Sequence, residues 1–290
     1  MNGISNNLIT ISDLSSFDPT HILESGQVFR YYRTESGYKI FSQNLFCSLI
    51  YDNARVIIDS NRPEYFYNYF DLGRDYGSIK QKLSVYPNLT EAIEFGKGIR
   101  ILNQDPAETV ISFIISANNN IPRIKKIIER LCVMFGEDMG GYYAFPTAER
   151  LAEASIEQLR EAGTGYRAEY IKSAALAIKD GFLQSLSGMD TPTARKHLMS
   201  QKGIGGKVAD CILLFGYHRE DVFPTDVWIS RVYQKFFAEC ETCSREQMSK
   251  RLVGLFGNLS GYAQQYLFYH IRQTQKNTKQ SKTEEQNEQT

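Results

Sequence analysis

The hydrophobic pattern changes once along the chain, near residue 90. Before that point apolar residues come in short runs rich in Tyr, Phe, Ile and Val, at residues 27–33, 38–43, 45–51 and 55–59. Glu35-Ser36-Gly37 and Asp52-Asn53 separate them. Aromatic and β-branched runs divided by turn residues predict an antiparallel meander. Residues 62–70 then read as a helix, with Pro63 in its first turn. After residue 90 the spacing becomes three and four. Val110, Phe113, Ile114 and Ala117 form one such set, and Ile124, Ile127, Ile128, Leu131 and Met134 another. This is the period of helices that bury one face. It continues to about Arg272, with no internal repeat.

Residues 276–290 contain no aliphatic or aromatic side chain. Such a segment cannot offset its ordering entropy by burial and is expected to be disordered. The expected organisation is therefore a β-rich domain over residues 1–90, a helical domain over 91–275 and a polar tail over 276–290.

Composition adds mainly exclusions. The chain of 290 residues is long enough to bury a core without covalent staples. Its 33 basic and 33 acidic residues cancel. That excludes a simple polybasic nucleic-acid binder but leaves room for a local basic surface. The first residues lack a basic stretch followed by an apolar one, as an export signal would need. The most apolar run, 110–117, is shorter than the ~18 residues of a membrane helix. Five cysteines are an odd number, and Cys47, Cys132 and Cys211 lie in apolar segments. They suggest no disulfide framework, and a cytoplasmic, reducing location is expected, nucleoid-associated if bacterial.

The most informative stretch is a hairpin over residues 193–216. Residues 193–200 read as a helix, Lys202-Gly203-Ile204-Gly205-Gly206 as a tight turn and 207–215 as a second helix. Gly203 and Gly205 allow positive φ and close backbone approach. The second helix would start with free N–H groups and its positive dipole end toward whatever lies over the turn, which suits a phosphate. Arg195, Lys196, Lys202, Lys207 and Arg219 stand there against one acid, Asp210. A plain helix–helix turn with glycines at the C-cap fits the same residues. Downstream, Pro224 ends a run, and Thr225 or Asp226 can cap the next helix with a side-chain oxygen.

Taken together, Gly203-Ile-Gly-Gly-Lys207-Val-Ala-Asp-Cys211 and Pro224-Thr-Asp226 resemble the helix-hairpin-helix DNA glycosylases, most closely their 8-oxoguanine DNA glycosylase branch. The resemblance extends over about residues 22–272. Ser25-Gly26-Gln27-x-Phe29-Arg30 looks like an early strand motif of the family. Gln104-Asp105-Pro106, Phe113-Ile114-Ile115-Ser116 and Asn118-Asn119-Asn120-Ile121-x-Arg123 look like the helix and loop that enter DNA opposite the lesion. Gly163-x-Gly165-Tyr166-Arg167 matches another DNA-facing loop, and Tyr262-Ala263-Gln264 with Leu267-Phe268 matches the last helix. The implied fold is α+β: an N-terminal antiparallel, TATA-binding-protein-like α/β domain packed on an all-helical helix-hairpin-helix glycosylase core.

The resemblance also implies roles. Lys207 would be the nucleophile that forms a Schiff base with the sugar, and Asp226 its electrostatic partner. Gly26 would read the N7 hydrogen of 8-oxoguanine through its carbonyl. Cys211, one turn after Lys207, and Phe268 would sandwich the flipped base, and Gln264 would read its Watson–Crick edge. Asn118, Arg123, Tyr166 and Arg167 would serve the opposite strand, with Tyr166 the wedge and the two arginines forked donors to the orphaned cytosine. Gly203 and Gly205 would approach the DNA backbone. The implied activity is excision of 8-oxoguanine opposite cytosine followed by strand cleavage at the abasic site, with formamidopyrimidines as possible minor substrates. It needs no metal or redox cofactor. The implied partner is double-stranded DNA carrying oxidised guanine, bound by a monomer, with no membrane partner.

Three features depart from the family pattern. Gln201-Lys202 stands where the hairpin usually has Leu-Pro. Trp228 stands where animal members have histidine. Cys240-x-x-Cys243 is half of the four-cysteine iron–sulfur pattern of endonuclease-III relatives and reads as incidental. Two other readings compete: an alkylpurine glycosylase of the same fold, which Lys207 argues against, and a non-catalytic helix-hairpin-helix DNA-binding module.

Overall fold

The computed structural model describes residues 3–5, 7–236 and 243–288. Six strands, β1 (Gly3–Ser5), β2 (Leu8–Ile11), β3 (Tyr31–Thr34), β4 (Gly37–Ser42), β5 (Leu45–Asp52) and β6 (Arg55–Asp59), form one sheet in the order β1-β2-β6-β5-β4-β3. Every pairing is antiparallel. Two-residue loops join β3 to β6, fixed by the registers Thr34↔Gly37, Ser42↔Leu45 and Asp52↔Arg55. Gln43 and Asn53 take the left-handed backbone that such tight loops demand. Helices α1 (Pro19–Leu23) and α2 (Pro63–Tyr69) pack on the sheet through Ile22, Leu23, Phe66 and Tyr69.

The meander is as expected from 38 to 59, with two differences. The hairpin of β1 and β2 joins it as an extra pair of strands. Residues 27–29 lie outside the sheet, where the Gln27 side chain bonds to backbone groups of Ile22, Arg100 and Leu102, and Arg30 keeps one bond, its carbonyl accepting from Phe41 N at 3.0 Å.

Twelve further helices complete the chain: α3 (Tyr76–Leu83), α4 (Pro87–Phe95), α5 (Pro106–Ser116), α6 (Ile121–Phe135), α7 (Ala148–Glu153), α8 (Ile156–Glu161), α9 (Ala168–Lys179), α10 (Thr191–Met199), α11 (Gly206–Gly216), α12 (Val227–Phe236), α13 (Arg245–Phe256) and α14 (Ser260–Glu288). Their apolar faces share a second core. Tyr76, Ile79, Leu83, Leu89 and Ile93 already belong to it, so the cores divide before α3 although the composition changes near residue 90. Phe29 crosses into the helical core, and Leu102 crosses back into the sheet core.

Buried polar groups fasten the two cores. Gln27, fully buried, donates from Nε2 to the carbonyls of Ile22 (3.1 Å) and Arg100 (2.8 Å) and to Ser25 Oγ (2.9 Å). Its Oε1 accepts from Leu102 N at 2.9 Å. Arg100 in turn donates to the carbonyls of Ser16, Phe70, Asp71 and Arg74 and lies 4.0 Å from the Tyr76 ring centre. Arg30 pairs with Glu108 at 3.3 Å and donates to Tyr143 O at 2.7 Å.

The tail is a correction. Helix α14 runs on to Glu288, across residues expected to be disordered. Its Lys, Gln and Glu residues favour helix, and a helix nucleated by its packed first half adds residues without the cost of a new nucleus. Cys47, Cys132 and Cys211 are free and buried. Cys243 is disulfide-bonded, and Cys240 lies outside the described residues. Among the described residues, no helix is long and apolar enough to cross a membrane.

Gln27→Ala should reduce the unfolding free energy by about 3 kcal/mol, because it strands buried backbone groups of both cores. Urea unfolding measures this. A loss below about 1 kcal/mol would show that the clasp contributes little.

Candidate active site

Helix α11 sets the geometry of the site. Its residues from Val208 to Phe215 are all buried, whereas Lys207 is half-buried at its start. The N-cap is Gly205, which has no side chain to satisfy the first-turn amides. Those N–H groups and the dipole therefore point out of the fold unpaired. The preceding turn is held tight by Gly203, at φ +90°, where a Cβ would fall 2.6 Å from the Tyr170 ring. At Gly205 a Cβ would meet nothing within 4 Å. One hairpin glycine thus serves packing, and the other leaves an open approach.

Lys207 Nζ lies 5.2 Å from the centre of the Phe113 ring on α5. It also hydrogen-bonds Cys211, one turn along α11. Burial pushes the Cys211 thiol up to about 11, against the pull of Lys207. The thiol is therefore neutral and a poor nucleophile. Asp226 also acts electrostatically on the same thiol, raising it further. Asp226 is also the cap expected from sequence. Its Oδ1 accepts from Trp228 N (2.9 Å) and Ile229 N (3.0 Å) at the start of α12, which orients the carboxylate. Among the described residues no donor reaches Oδ2. A cleft of about 370 Å³ opens beside Lys207, lined in part by Ala117, Gly205, Gly206, Thr225 and Ser249.

A second group of expected site residues meets at the Gly26 loop, at φ +82°. A Cβ there would come within 3.0 Å of both Phe268 Cε1 and Arg272 Nη1. Only glycine fits the backbone and the space together. Gln264, one turn before Phe268 on α14, is buried and accepts from Gln265 Nε2 at 3.2 Å.

The expected opposite-strand residues gather on a separate rim. Asn118 is exposed, with left-handed backbone at φ 49°, between α5 and α6. Arg123 is exposed in the first turn of α6. Tyr166 is 55% exposed, with the Arg167 guanidinium 4.4 Å from its ring centre. Arg167 itself is only 4% exposed. Its Nε donates to Ala117 O at 3.0 Å, and its Nη2 to the carbonyls of Ala117 and Asn118. It is not the free fork the sequence suggested: it orders the Asn118 loop and has Nη1 left to offer. Trp228 stacks with Arg231, whose Cζ lies 5.0 Å from its ring.

Sequence reasoning missed the support beneath Lys207. Asp210 is 2% exposed and takes Arg195 Nε at 2.6 Å. The other guanidinium nitrogens of Arg195 meet Glu246 at 2.9 and 2.8 Å. This network joins α10, α11 and α13. It removes Arg195 from the basic surface counted in sequence. Its one signal was an acid on the buried face of an apolar helix. Burial raises the Asp210 carboxyl to about 6 despite Arg195.

That shift sets a sign. The proton is held more tightly in the folded state, so the stability it contributes is complete below the ordinary carboxylate value and fades as pH rises through about 6. Arg195→Gln removes the opposing charge and moves Asp210 higher still. The variant's deficit should grow from pH 5 to pH 8, to about 3 kcal/mol at the upper end. Urea unfolding at both values checks this, and an equal deficit at both would contradict it.

Comparison with known proteins identifies the family and the fold. Residues 111–257 match the model of the HhH-GPD superfamily of base excision DNA repair proteins. Residues 9–110 match the N-terminal domain of 8-oxoguanine DNA glycosylase. The chain is 43% identical over 157 residues to an N-glycosylase/DNA lyase of Saccharomyces cerevisiae, covering 48% of this chain and 42% of that one. It thus spans less than half of the yeast relative. A probable N-glycosylase/DNA lyase of Methanothermobacter thermautotrophicus is 32% identical over 230 residues, 71% of this chain and 72% of that one. The fold superposes on a Clostridium acetobutylicum 8-oxoguanine glycosylase/lyase, crystallised with duplex DNA carrying cytosine opposite 8-oxoguanine. The TM-score is 0.89 at 35% identity, over 95% of this chain and 98% of that one. With its hairpin lysine, capping aspartate and β-rich N-terminal domain, the chain belongs to the HhH-GPD superfamily of base excision DNA repair proteins and carries the N-terminal domain of its 8-oxoguanine glycosylases.

Proposed function

We infer that this protein flips 8-oxoguanine out of duplex DNA, preferring cytosine opposite, excises it through a Schiff base at Lys207 and then nicks the strand. The observation that carries this reading is the amine of Lys207 at an uncapped helix start, beside the Cys211 thiol, on which both Lys207 and Asp226 act electrostatically. In the proposed reaction the Nζ lone pair forms a bond to the sugar C1′. The C1′–N9 bond breaks, and the base leaves with that electron pair and gains a proton. The nitrogen then gives up one proton, its lone pair forms the C1′=N bond as the C1′–O4′ bond breaks, and O4′ takes up a proton, which leaves a ring-opened protonated imine. The imine acidifies the 2′ hydrogen, whose loss expels the 3′ phosphate by β-elimination. Asp226, with Oδ2 free, would stabilise positive charge developing on the sugar.

The base must leave the stack first, at a cost of a few kcal/mol. Exposed Tyr166 is suited to fill the gap, and Arg123 with Asn118 to meet the orphaned cytosine. Gly26, Cys211, Gln264 and Phe268 would form the base slot. The protein is proposed to act as a monomer on DNA, without a membrane partner.

End-labelled duplexes with 8-oxoguanine opposite each of the four bases test the reading, with products resolved before and after alkali. Nicks without alkali, fastest opposite cytosine, are expected. Breaks only after alkali would indicate water attack, and binding without products a non-catalytic module. Lys207→Gln should bind DNA yet leave the strand intact. Asp226→Asn should slow base release by about two to three decades.

The two arginines should separate in the same assay. Arg123→Ala should relax the preference for cytosine by about 1–3 kcal/mol with unfolding unchanged. Arg167→Ala should lower stability as well, because it removes the donors that hold the Ala117 and Asn118 carbonyls. Equal losses opposite all four bases with Arg123→Ala would reduce that residue to a backbone contact.

A further inference from the structure

Helix α14 carries Gln264, Phe268 and Arg272 at successive four-residue steps, on one face. The first two belong to the proposed base slot. Arg272 continues the stripe, and nothing above gives it work. Its Cζ lies 5.9 Å from the centre of the Phe268 ring. Its Nη1 is 3.0 Å from where a Gly26 side chain would begin. The guanidinium therefore touches both the residue proposed to stack on the base and the loop proposed to read it.

Its own bonding is incomplete. Nη1 donates to Glu24 O at 3.1 Å. Among the described residues no other acceptor meets it and no carboxylate lies within ion-pair distance. Burial disfavours its charge, while Tyr31 and Glu24, then Tyr269 and Asp226, favour it. A partly buried guanidinium with five N–H donors and one acceptor is costly unless a ligand completes its shell.

8-Oxoguanine differs from guanine at two neighbouring positions: N7 gains a hydrogen, and C8 gains an oxygen. A carbonyl can read only the first. We propose that Arg272 is a specificity-determining residue whose free donors take the 8-oxygen of the flipped base beside the N7–H contact of Gly26, an inference that rests on the base slot proposed above. Against guanine the same donors face a C8–H and stay unpaired, and a site built to hydrogen-bond one group rejects the analogue lacking it.

Single-turnover excision by the full chain tests this on duplexes carrying 8-oxoguanine or 8-thioguanine. The latter keeps the N7 hydrogen but replaces the oxygen with a poor acceptor. A preformed abasic site and an undamaged duplex report strand cleavage and plain binding. Arg272→Leu should slow 8-oxoguanine excision about 10- to 100-fold, the range of one charge-assisted hydrogen bond. It should slow 8-thioguanine excision far less and leave abasic nicking and undamaged-duplex binding unchanged. Arg272→Lys keeps the charge but not the fork, and should show the same ordering with a smaller loss, which serves if the leucine variant unfolds. Equal losses on the two bases, or a matching loss of abasic nicking or duplex binding, would overturn the assignment and make Arg272 a structural or phosphate contact. Failure of the unaltered protein to excise 8-oxoguanine would overturn the proposed function itself, and the assignment with it.

Discussion

Helix α11 is packed on every side from Val208 to Phe215 and left uncapped at its first turn, and the rest of the site is arranged around that contrast. A helix buried along its length cannot shift to suit a ligand, so Lys207 is delivered to one place. Its free amides supply a positive end without a second lysine. The same burial keeps the Cys211 thiol neutral and a poor competitor to the amine proposed as nucleophile. Asp210 secures the helix from behind through Arg195 and Glu246 on two neighbouring helices. The Asp210 carboxylate is hard to bury, and its tie to Arg195 is what makes the position of α11 specific.

The Gly26 loop depends on a second fastening. Gly26 sits in a left-handed turn immediately before Gln27, whose side chain bonds to backbone from both sides of the domain boundary. In the proposed site the sheet domain therefore carries one wall, the Gly26 loop, while the helical domain carries Lys207 and α14. Arg30 with Glu108 and Arg100 with its ring of carbonyls hold the same boundary. A base slot built from two domains keeps its width only if their contact is rigid, and buried hydrogen-bonded groups supply that rigidity better than apolar contact alone.

Much of this was legible in the sequence where a local rule decides. The turns at Glu35-Ser36-Gly37 and Asp52-Asn53, the hairpin glycines and the Asp226 cap follow from backbone chemistry within a few residues. What stayed hidden depends on partners distant in sequence. Gln27 gave no sign that it would replace strand pairing with bonds to residues 100 and 102. Arg195 looked like surface charge until Asp210 and Glu246 met it. Arg167 looked like a free donor until its contact with the Asn118 loop was seen. Arg272 was hidden because a lone arginine on a helix is ordinarily solvated, and only its contact with Gly26 and Phe268 marks it. The tail misled because composition measures burial, whereas a helix can extend from a packed end on backbone bonds alone.

The central claim is that one amine, Lys207, forms the covalent link to DNA. Borohydride reduction during turnover of an 8-oxoguanine duplex, followed by protease digestion and mass spectrometry of the cross-linked peptide, tests it most directly. The account predicts a DNA remnant attached at Lys207, and no cross-link with Lys207→Gln. Trapping that persists in that variant, or a remnant mapped to another lysine, would contradict it.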